Sequence, residues 1–192
     1  MMERTPNSIS SNNELDVRNT FRMISYLLQY PEKRWLKWKE LVDGIKQFED
    51  SPLTEYLLSF LNEIGEISLD DLSEQYVQLF DFNPKCSLNL TYLKAGEQRK
   101  RGQILVELKE LYKENGFLMT DEELPDYLPL VLEFVSVAPL DISVNLLGSL
   151  RESIEKLKAE LAHLNSPYRH LAEACLAGAV ILEKITLSRE GD

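Results

Sequence analysis

Cysteine and histidine are scarce in this chain, with two of each among 192 residues. Cys86 and Cys175 lie far apart and share no metal-ligand or redox spacing, so we exclude a disulfide framework and expect two free thiols. Neither His163 nor His170 has a carboxylate or cysteine at the i, i+4 spacing that builds a metal-binding helix face. The sequence therefore predicts no metal site and two histidines at the surface or its boundary.

Strand-forming sequence and long apolar runs are also scarce. The one alternating run, residues 88–92, has no second strand to pair with, so we interpret it as a connection. The longest apolar region, residues 124–150, is interrupted by charges such as Asp126 and Glu133, which excludes a membrane-spanning helix. Residues 1–16 lack the apolar segment of a secretory signal. We therefore expect a cytoplasmic protein without stable membrane insertion.

Basic residues are outnumbered, at 21 against 32 acidic residues, which gives a net charge of −11. Such a charge repels nucleic acid and anionic membranes, and it attracts cationic partners. The alternative is that the charge serves only solubility, as it does in many acidic domains. The charge therefore argues against a nucleic-acid-binding protein and leaves a cationic partner open.

Helical periodicity dominates the remaining sequence. Apolar residues recur every three or four positions in successive segments, most regularly over residues 150–164. Residues 172–182 are apolar or small on most sides, which predicts a central and closely packed helix. These patterns predict a single-domain, all-α bundle with well over half its residues helical and essentially no sheet. We expect a flexible tail over residues 1–14 and the helical domain over residues 15–190.

Local signals mark where several helices begin and end. Ser68 starts a sequence resembling a capping box, and Gly116 is a natural C-terminal stop. Pro125 and Pro129 both fit only if the next helix begins near residues 124–126, because a proline is tolerated before a helix or in its first turn.

No pattern for catalysis or nucleotide binding is present. The segment from Gly96 to Gly102 encloses a basic run, but it lacks the Gly-Lys-Ser/Thr ending that cradles phosphates. Local sequence gives no Ser/His/Asp or Cys/His set. We therefore predict no enzyme activity, no catalytic residues and no bound cofactor.

An acidic cluster lies beside the predicted helix start. Its members are Asp121, Glu122, Glu123 and Asp126. Acids near a helix N-terminus stabilise it by about 0.3–1 kcal/mol each, which is the structural interpretation. The functional interpretation is that some of them face a cationic ligand. The basic run from Arg99 to Arg101 is best interpreted as a solvated face paired with nearby acids.

Three sequence blocks occur in order between residues 79 and 135. They are Leu79-Phe80-Asp81-Phe82 leading to Leu90-Thr91-Tyr92, then Gly96-Glu97-Gln98-Arg99-Lys100-Arg101-Gly102, then Glu123-Leu124-Pro125-Asp126-Tyr127-Leu128-Pro129 running into Leu132-Glu133-Phe134. Together they resemble the NarJ-type chaperones, which assemble the molybdenum-containing catalytic subunit of respiratory nitrate reductase and form a branch of the TorD/DmsD group. The resemblance extends from about Phe21 to about Leu164.

This resemblance implies a fold, a partner and a role. The fold is the all-helical TorD/NarJ type. The partner is the apo catalytic (alpha) subunit of nitrate reductase, bound through its N-terminal peptide and held competent for molybdenum cofactor insertion before membrane assembly. A monomer or weak dimer is expected. Alternatives are a related chaperone for another molybdoenzyme, a helical scaffold or adaptor, and a small helical enzyme that uses the acidic cluster.

The resemblance also implies which residues meet the client peptide. The candidates are Tyr92, Arg99, Arg101, Glu123, Pro125, Asp126, Tyr127 and Leu128. Glu123 and Asp126 are expected at the acidic rim of a groove that takes the peptide as a helix. Leu128 is expected in the floor of that groove or in the core, and Arg99 and Arg101 either hold the neighbouring loop or meet the client.

Overall fold

The computed structural model describes residues 6–33, 38–45, 52–92, 98–120 and 122–190. The side chains of residues 6–12, 38–41, 98 and 99 lie outside this description. The described residues form eight α-helices: α1 (Pro6–Leu27), α2 (Trp38–Ile45), α3 (Pro52–Ile64), α4 (Leu69–Tyr76), α5 (Gln98–Glu114), α6 (Leu128–Val135), α7 (Leu140–His163) and α8 (Arg169–Glu190). A π-helical turn, Val77–Asp81, extends α4, and a 3-10 turn follows at Pro84–Cys86.

The predicted all-α architecture is confirmed. Helices account for well over half of the described residues, which contain no strand beyond one isolated β-bridge. None of the described helices combines the length and the apolar character needed to cross a membrane.

Two of the residues predicted to begin or end a helix do so in the structure. Ser68 caps α4, because its hydroxyl accepts a hydrogen bond from the Asp71 backbone N–H at 3.2 Å and donates to the Asp71 carboxylate at 2.6 Å. Gly116, with a φ of +75°, follows α5 in the left-handed conformation that glycine adopts without a steric penalty. Both signals are local, so the sequence alone reveals them.

Helix α1 begins earlier than the expected domain boundary. It starts at Pro6, so the described residues 6–14 are helical, and the boundary expected after residue 14 falls inside α1. Glu14, a residue of the expected tail, forms a salt bridge to Arg189 of α8 at 2.7 Å. This contact ties the N-terminal part of α1 to the end of the last helix.

Helix α8 lies at the centre, as the small residues predicted. It packs against α1, α3 and α7. A Cβ atom added at Gly178 would lie 2.9 Å from the Phe21 ring, so the absence of a side chain allows α1 to approach this closely. The core of the bundle forms along this contact, where Phe21 is fully buried.

Helix α1 also packs against α6, and polar contacts hold the two together. Arg18 donates to the backbone carbonyls of Val135 and Ala138 at 2.9 and 2.8 Å, and Ser25 donates to that of Pro129 at 2.7 Å. The carbonyl groups at the end of a helix lack hydrogen-bond donors within the helix, and Arg18 donates to two carbonyl groups at and just after the end of α6. They fix α1 beside α6 over the length of α6.

One prediction about the segments before α6 is confirmed and one is wrong. The run 88–92 is a connection and not a strand, although part of it is paired, because Leu90 N–H donates to Asp126 O at 3.0 Å and Leu128 N–H donates to Leu88 O at 2.8 Å. Helix α6 begins at Leu128, later than the predicted 124–126. The bridge between Asn89 and Tyr127 holds Tyr127 in an extended conformation, so the helix starts only after it, with Pro129 in the first turn.

Candidate functional site

A groove of about 520 Å³ lies between the end of α1, the start of α6 and the loop before α6. Its lining residues are Gln29, Tyr30, Glu32, Tyr76, Thr120, Glu122, Glu123, Tyr127, Pro129, Leu130 and Glu133. We call this region the acidic lobe, because four of these residues are glutamates and none is basic. It contains two of the eight predicted site residues, Glu123 and Tyr127.

Three tyrosines form much of the lining of the acidic lobe. The rings of Tyr30 and Tyr76 meet edge to face with centroids 5.6 Å apart. Tyr76 donates a hydrogen bond to the Leu28 carbonyl at 2.9 Å, and a side-chain hydrogen bond links it to Tyr127. Tyr76 is buried and Tyr127 half-buried, whereas Tyr30 is 49% exposed and presents its ring to solvent.

The electrostatic environment of the tyrosines is negative. Burial raises the pKa of Tyr127, its hydrogen bond with Tyr76 opposes the rise, and the charges of Glu123 and Asp81 add to it. Burial likewise raises the pKa of Tyr76. Both phenols are therefore neutral at physiological pH, and the negative charge of the lobe comes from its carboxylates.

A second lobe of about 360 Å³ adjoins the first and shares Gln29 and Glu133 with it. Its remaining lining residues are Arg22, Ser25, Tyr26, Phe117, Ser136 and Val137. We call it the Arg22 lobe. Arg22 Nε donates to Ser136 Oγ at 3.2 Å, which holds the guanidinium group over the C-terminal end of α6. The groove as a whole thus changes along its length, from four glutamates and no basic lining residue in the acidic lobe to one arginine and one glutamate in the Arg22 lobe.

Asp126 does not contribute to the rim of this groove, which corrects the expectation from sequence. Its side chain is fully buried. It accepts hydrogen bonds from Asn89 Nδ2 at 3.2 Å, from the Thr91 N–H at 3.1 Å and from the Thr91 hydroxyl at 2.5 Å. Arg101 Nη2 lies 3.6 Å from its carboxylate. Asp126 therefore joins the loop before α6 to the segment 88–92 and to α5.

Arg101 holds the loop rather than facing the groove. Its Nε donates to Thr91 Oγ1 at 3.1 Å, and its guanidinium carbon lies 5.8 Å from the centroid of the Tyr92 ring. Tyr92 is 54% exposed but does not line the groove. The side chain of Arg99 lies outside the described residues. Of the two roles proposed for Arg101, the contacts fit the structural one.

Pro125 and Leu128 are buried in the body of the protein. The Pro125 carbonyl accepts a hydrogen bond from the Tyr112 hydroxyl at 2.7 Å, and Leu128 is fully buried in the hydrophobic core. Leu128 thus belongs to the core and not to the groove floor. Among the predicted residues whose side chains are described, two line the groove, three are buried and two lie outside the groove without being buried: Glu123 and Tyr127; Pro125, Asp126 and Leu128; Tyr92 and Arg101.

Two members of the acidic cluster, Glu122 and Glu123, do not lie at a helix terminus. Glu122 and Glu123 are exposed and precede α6 by several residues, and the first turn of α6 contains no acidic residue. Asp121 lies outside the described residues. Because the helix dipole acts within about one turn, the dipole interpretation is wrong for these two glutamates.

Other concave surfaces have different chemistry. A groove of about 520 Å³ between α5 and α7 is mostly apolar, with Glu107 as its one charged lining residue. A wider groove of about 790 Å³ between α4 and the turn after α7 is lined by Glu66, Asp71 and Glu74 and contains no aromatic residue. Neither contains a predicted site residue.

Metal-binding and thiol chemistry have no obvious site in the described part of the chain. No cluster of three or more histidine, cysteine, aspartate or glutamate side chains there is arranged to hold a metal ion. Cys86 and Cys175 are free and buried, as predicted, and burial raises their pKa to about 11 and about 12. His163 is exposed, and His170 Nε2 lies 2.8 Å from Glu63 at the boundary of the surface.

Sequence reasoning missed the contribution of α1 to the groove. Tyr30 and Glu32 flank Pro31 after the end of α1, and Arg22 lies two turns earlier. Their only sequence signal is an aromatic residue next to a proline. They join the groove because α1 packs beside α6, a contact between residues about 100 positions apart.

Comparison with known proteins identifies similar sequences. The family described as nitrate reductase delta subunit matches residues 47–172. A Bacillus subtilis protein named as a probable nitrate reductase molybdenum cofactor assembly chaperone, NarJ, is 37% identical over 86% of this chain and 90% of its own length. The Escherichia coli K12 chaperone NarJ is 32% identical over 80% of this chain and 66% of its own length. These matches confirm the resemblance inferred from the three sequence blocks.

Proposed function

Because this chain belongs to the nitrate reductase delta subunit family, we propose that it is an assembly chaperone that binds the immature catalytic subunit of nitrate reductase. The Bacillus subtilis and Escherichia coli NarJ relatives are named as chaperones and not as enzymes. In this proposal the chain binds the N-terminal peptide of the client and keeps the subunit open for insertion of the molybdenum cofactor.

The observation that supports peptide binding is the acidic lobe. It combines exposed carboxylates at its rim with tyrosine rings, Pro129 and Leu130 along its lining. An amphipathic helix binds a groove through apolar anchors on one face, and its basic residues gain affinity from carboxylates at the rim. A cationic amphipathic peptide is therefore the occupant that this groove fits.

A chaperone must also release its client, which limits the affinity. We expect binding in the micromolar range, about −8 kcal/mol. The net charge of −11 speeds the encounter with a cationic peptide at low salt. Affinity and association rate should both fall as ionic strength rises, since salt screens exposed charges.

Calorimetric titration of a synthetic peptide from the N-terminus of a nitrate reductase catalytic subunit tests this proposal. Replacing Glu123 and Glu133 with glutamine should weaken binding by about tenfold, or 1.4 kcal/mol, and should reduce its salt dependence. Asp126 is unsuitable for this test, because a substitution at a buried carboxylate changes folding.

The matched control removes two charges from a different groove. Replacing Glu66 and Glu74 with glutamine changes the net charge equally but leaves the acidic lobe intact. This variant should retain the affinity of the unmodified protein within about twofold. If the peptide does not bind the unmodified protein, the proposed function is wrong. Equal losses in both double variants would instead mean that net charge, and not the acidic lobe, governs binding.

A further inference from the structure

The groove carries opposite charges at its two ends. Glu32, Glu122 and Glu123 line only the acidic lobe, whereas Arg22 lines only the adjoining lobe. Glu133 lies between them and lines both. A peptide lying along the groove therefore meets a negative potential at one end and a positive charge at the other.

The acidic lobe is suited to a side-chain cation. The Tyr30 ring is 49% exposed and is oriented by its edge-to-face contact with Tyr76 at 5.6 Å. A tyrosine face attracts an ammonium or guanidinium group, and nearby carboxylates add to this attraction. Because Tyr127 stays neutral, its ring contributes an apolar surface there rather than a further charge.

The Arg22 lobe disfavours a second cation. The Arg22 side chain is positively charged and is held beside α6 by its hydrogen bond to Ser136 at 3.2 Å. Phe117 is partly exposed and Val137 is 56% exposed, so the lobe offers apolar surface next to that charge. An apolar side chain followed by carbonyl groups or a carboxylate is complementary to this end.

We propose that the groove binds its peptide in one direction, with the cationic end of the peptide in the acidic lobe and an apolar, uncharged or acidic end in the Arg22 lobe. This inference rests on the proposed function in that it describes how the same groove holds a peptide. It adds that the position of the basic residues, and not their number alone, determines recognition.

The direction follows from the relative size of two charge effects. A helical peptide has a dipole equivalent to about half a positive charge at its N-terminus, which by itself favours placing that end in the acidic lobe. Two lysines contribute two full charges. Lysines in the last turn should therefore outweigh the dipole and reverse the peptide.

Two synthetic peptides of about 15 residues, the length at which an isolated helix is marginally stable, test the direction. They share one amphipathic composition and have acetylated and amidated ends, which removes the terminal charges. One carries two lysines in its first turn and the other carries them in its last turn. Each has a nitroxide label at its N-terminus, and each is added to the full-length, nitrogen-15-labelled protein.

The expected result is that the label follows the lysines. With lysines in the first turn, the label should reduce the amide signal intensities of Glu122 and Leu130 more than those of Phe117 and Val137. With lysines in the last turn, the order should reverse. The Arg22→Gln variant should keep its fold, because Arg22 is exposed, and should show a smaller contrast between the two peptides.

Each other outcome overturns the directional proposal. If the label reduces the same signals with both peptides, lysine position does not set the direction. A contrast that is unchanged in Arg22→Gln removes the Arg22 lobe from the explanation. If neither peptide binds while the nitrate reductase peptide does bind in the calorimetric test, the proposed function stands and the directional inference is wrong.

Discussion

At the scale of single residues, Asp126 was predicted to bind the client peptide, but its contacts show that it stabilises the folded structure. It is fully buried, accepts three hydrogen bonds from Asn89 and Thr91, and has Arg101 at 3.6 Å. These partners come from the segment 88–92 and from α5. The neighbouring residue Tyr127 therefore reaches the groove from a loop that Asp126 fixes in place.

Replacing Asp126 with alanine should lower the free energy of unfolding by about 3 kcal/mol, because removing one partner leaves a buried polar cluster without its acceptor. Glu123→Ala is the matched control. Glu123 is exposed in the same loop, so its loss should change stability by less than about 0.5 kcal/mol. Urea denaturation of both variants measures this difference. Equal stability of the two variants would contradict the structural role of Asp126.

At the scale of helices, the packing of α8 against α1 depends on one glycine. Gly178 faces the ring of Phe21, and an added Cβ would lie 2.9 Å from the ring. Phe21 is fully buried and cannot swing out into solvent. Gly148 on α7 provides the comparison, because a Cβ there would have no neighbouring atom within 4 Å.

Alanine should have opposite effects at these two positions. Gly148→Ala should stabilise the protein by about 0.5–1 kcal/mol, since alanine loses less backbone entropy than glycine in a helix. Gly178→Ala gains the same propensity but overpacks the core, at a cost of about 1–3 kcal/mol. The difference between the two variants in thermal or urea unfolding should therefore be about 1–3 kcal/mol, with Gly178→Ala the less stable. A difference near zero would mean that α1 and α8 can separate without cost.

At the scale of the whole molecule, ion pairs tie both ends of α8 to other helices. Glu63 of α3 meets Arg169 and His170 at the start of α8, and Glu14 of α1 meets Arg189 near its end. Partial burial alone would raise the pKa of both carboxyls. Hydrogen bonds and charges from their basic partners outweigh it, so the pKa of Glu14 and of Glu63 lies below its usual value.

These lowered pKa values predict loss of stability in acid. The unfolded chain, whose glutamates keep the usual pKa near 4.5, takes up protons before the folded protein does as the pH falls. The stabilisation is therefore complete at neutral pH and declines as the pH falls below about 5. The double variant Glu14→Gln, Glu63→Gln should be less stable than the unmodified protein at neutral pH by about 1 kcal/mol. This value is small because the ion pairs of both glutamates are partly exposed, so solvent screens them.

Melting temperatures measured from about pH 7 to about pH 3 test this prediction. The double variant should lose less stability over that range than the unmodified protein, because two of the groups that bind protons on unfolding are absent. Glu66→Gln with Glu74→Gln again serves as the control with the same change in charge. If the pH dependence of the Glu14, Glu63 variant matches that of the unmodified protein, these ion pairs do not anchor α8.

Local interactions explain why the sequence by itself determined the helices. The apolar spacing over residues 150–164, the cap at Ser68 and the stop at Gly116 each depend on contacts within a few residues along the chain. The small residues around Gly178 likewise predicted a central last helix. The acidic cluster singled out Glu123 as a possible binding residue, whereas only the family resemblance made Tyr127 a candidate.

Only the tertiary structure decided which candidates reach a common groove. The pairing of residues 88–90 with residues 126–128 buries Asp126 and delays the start of α6. The packing of α1 beside α6 brings Tyr30 and Arg22 to the same groove as Glu133. These contacts join residues far apart in the chain, and their free energy depends on side chains that approach only after folding. Helical periodicity specifies which face of a helix is buried, but it does not specify which helix covers that face.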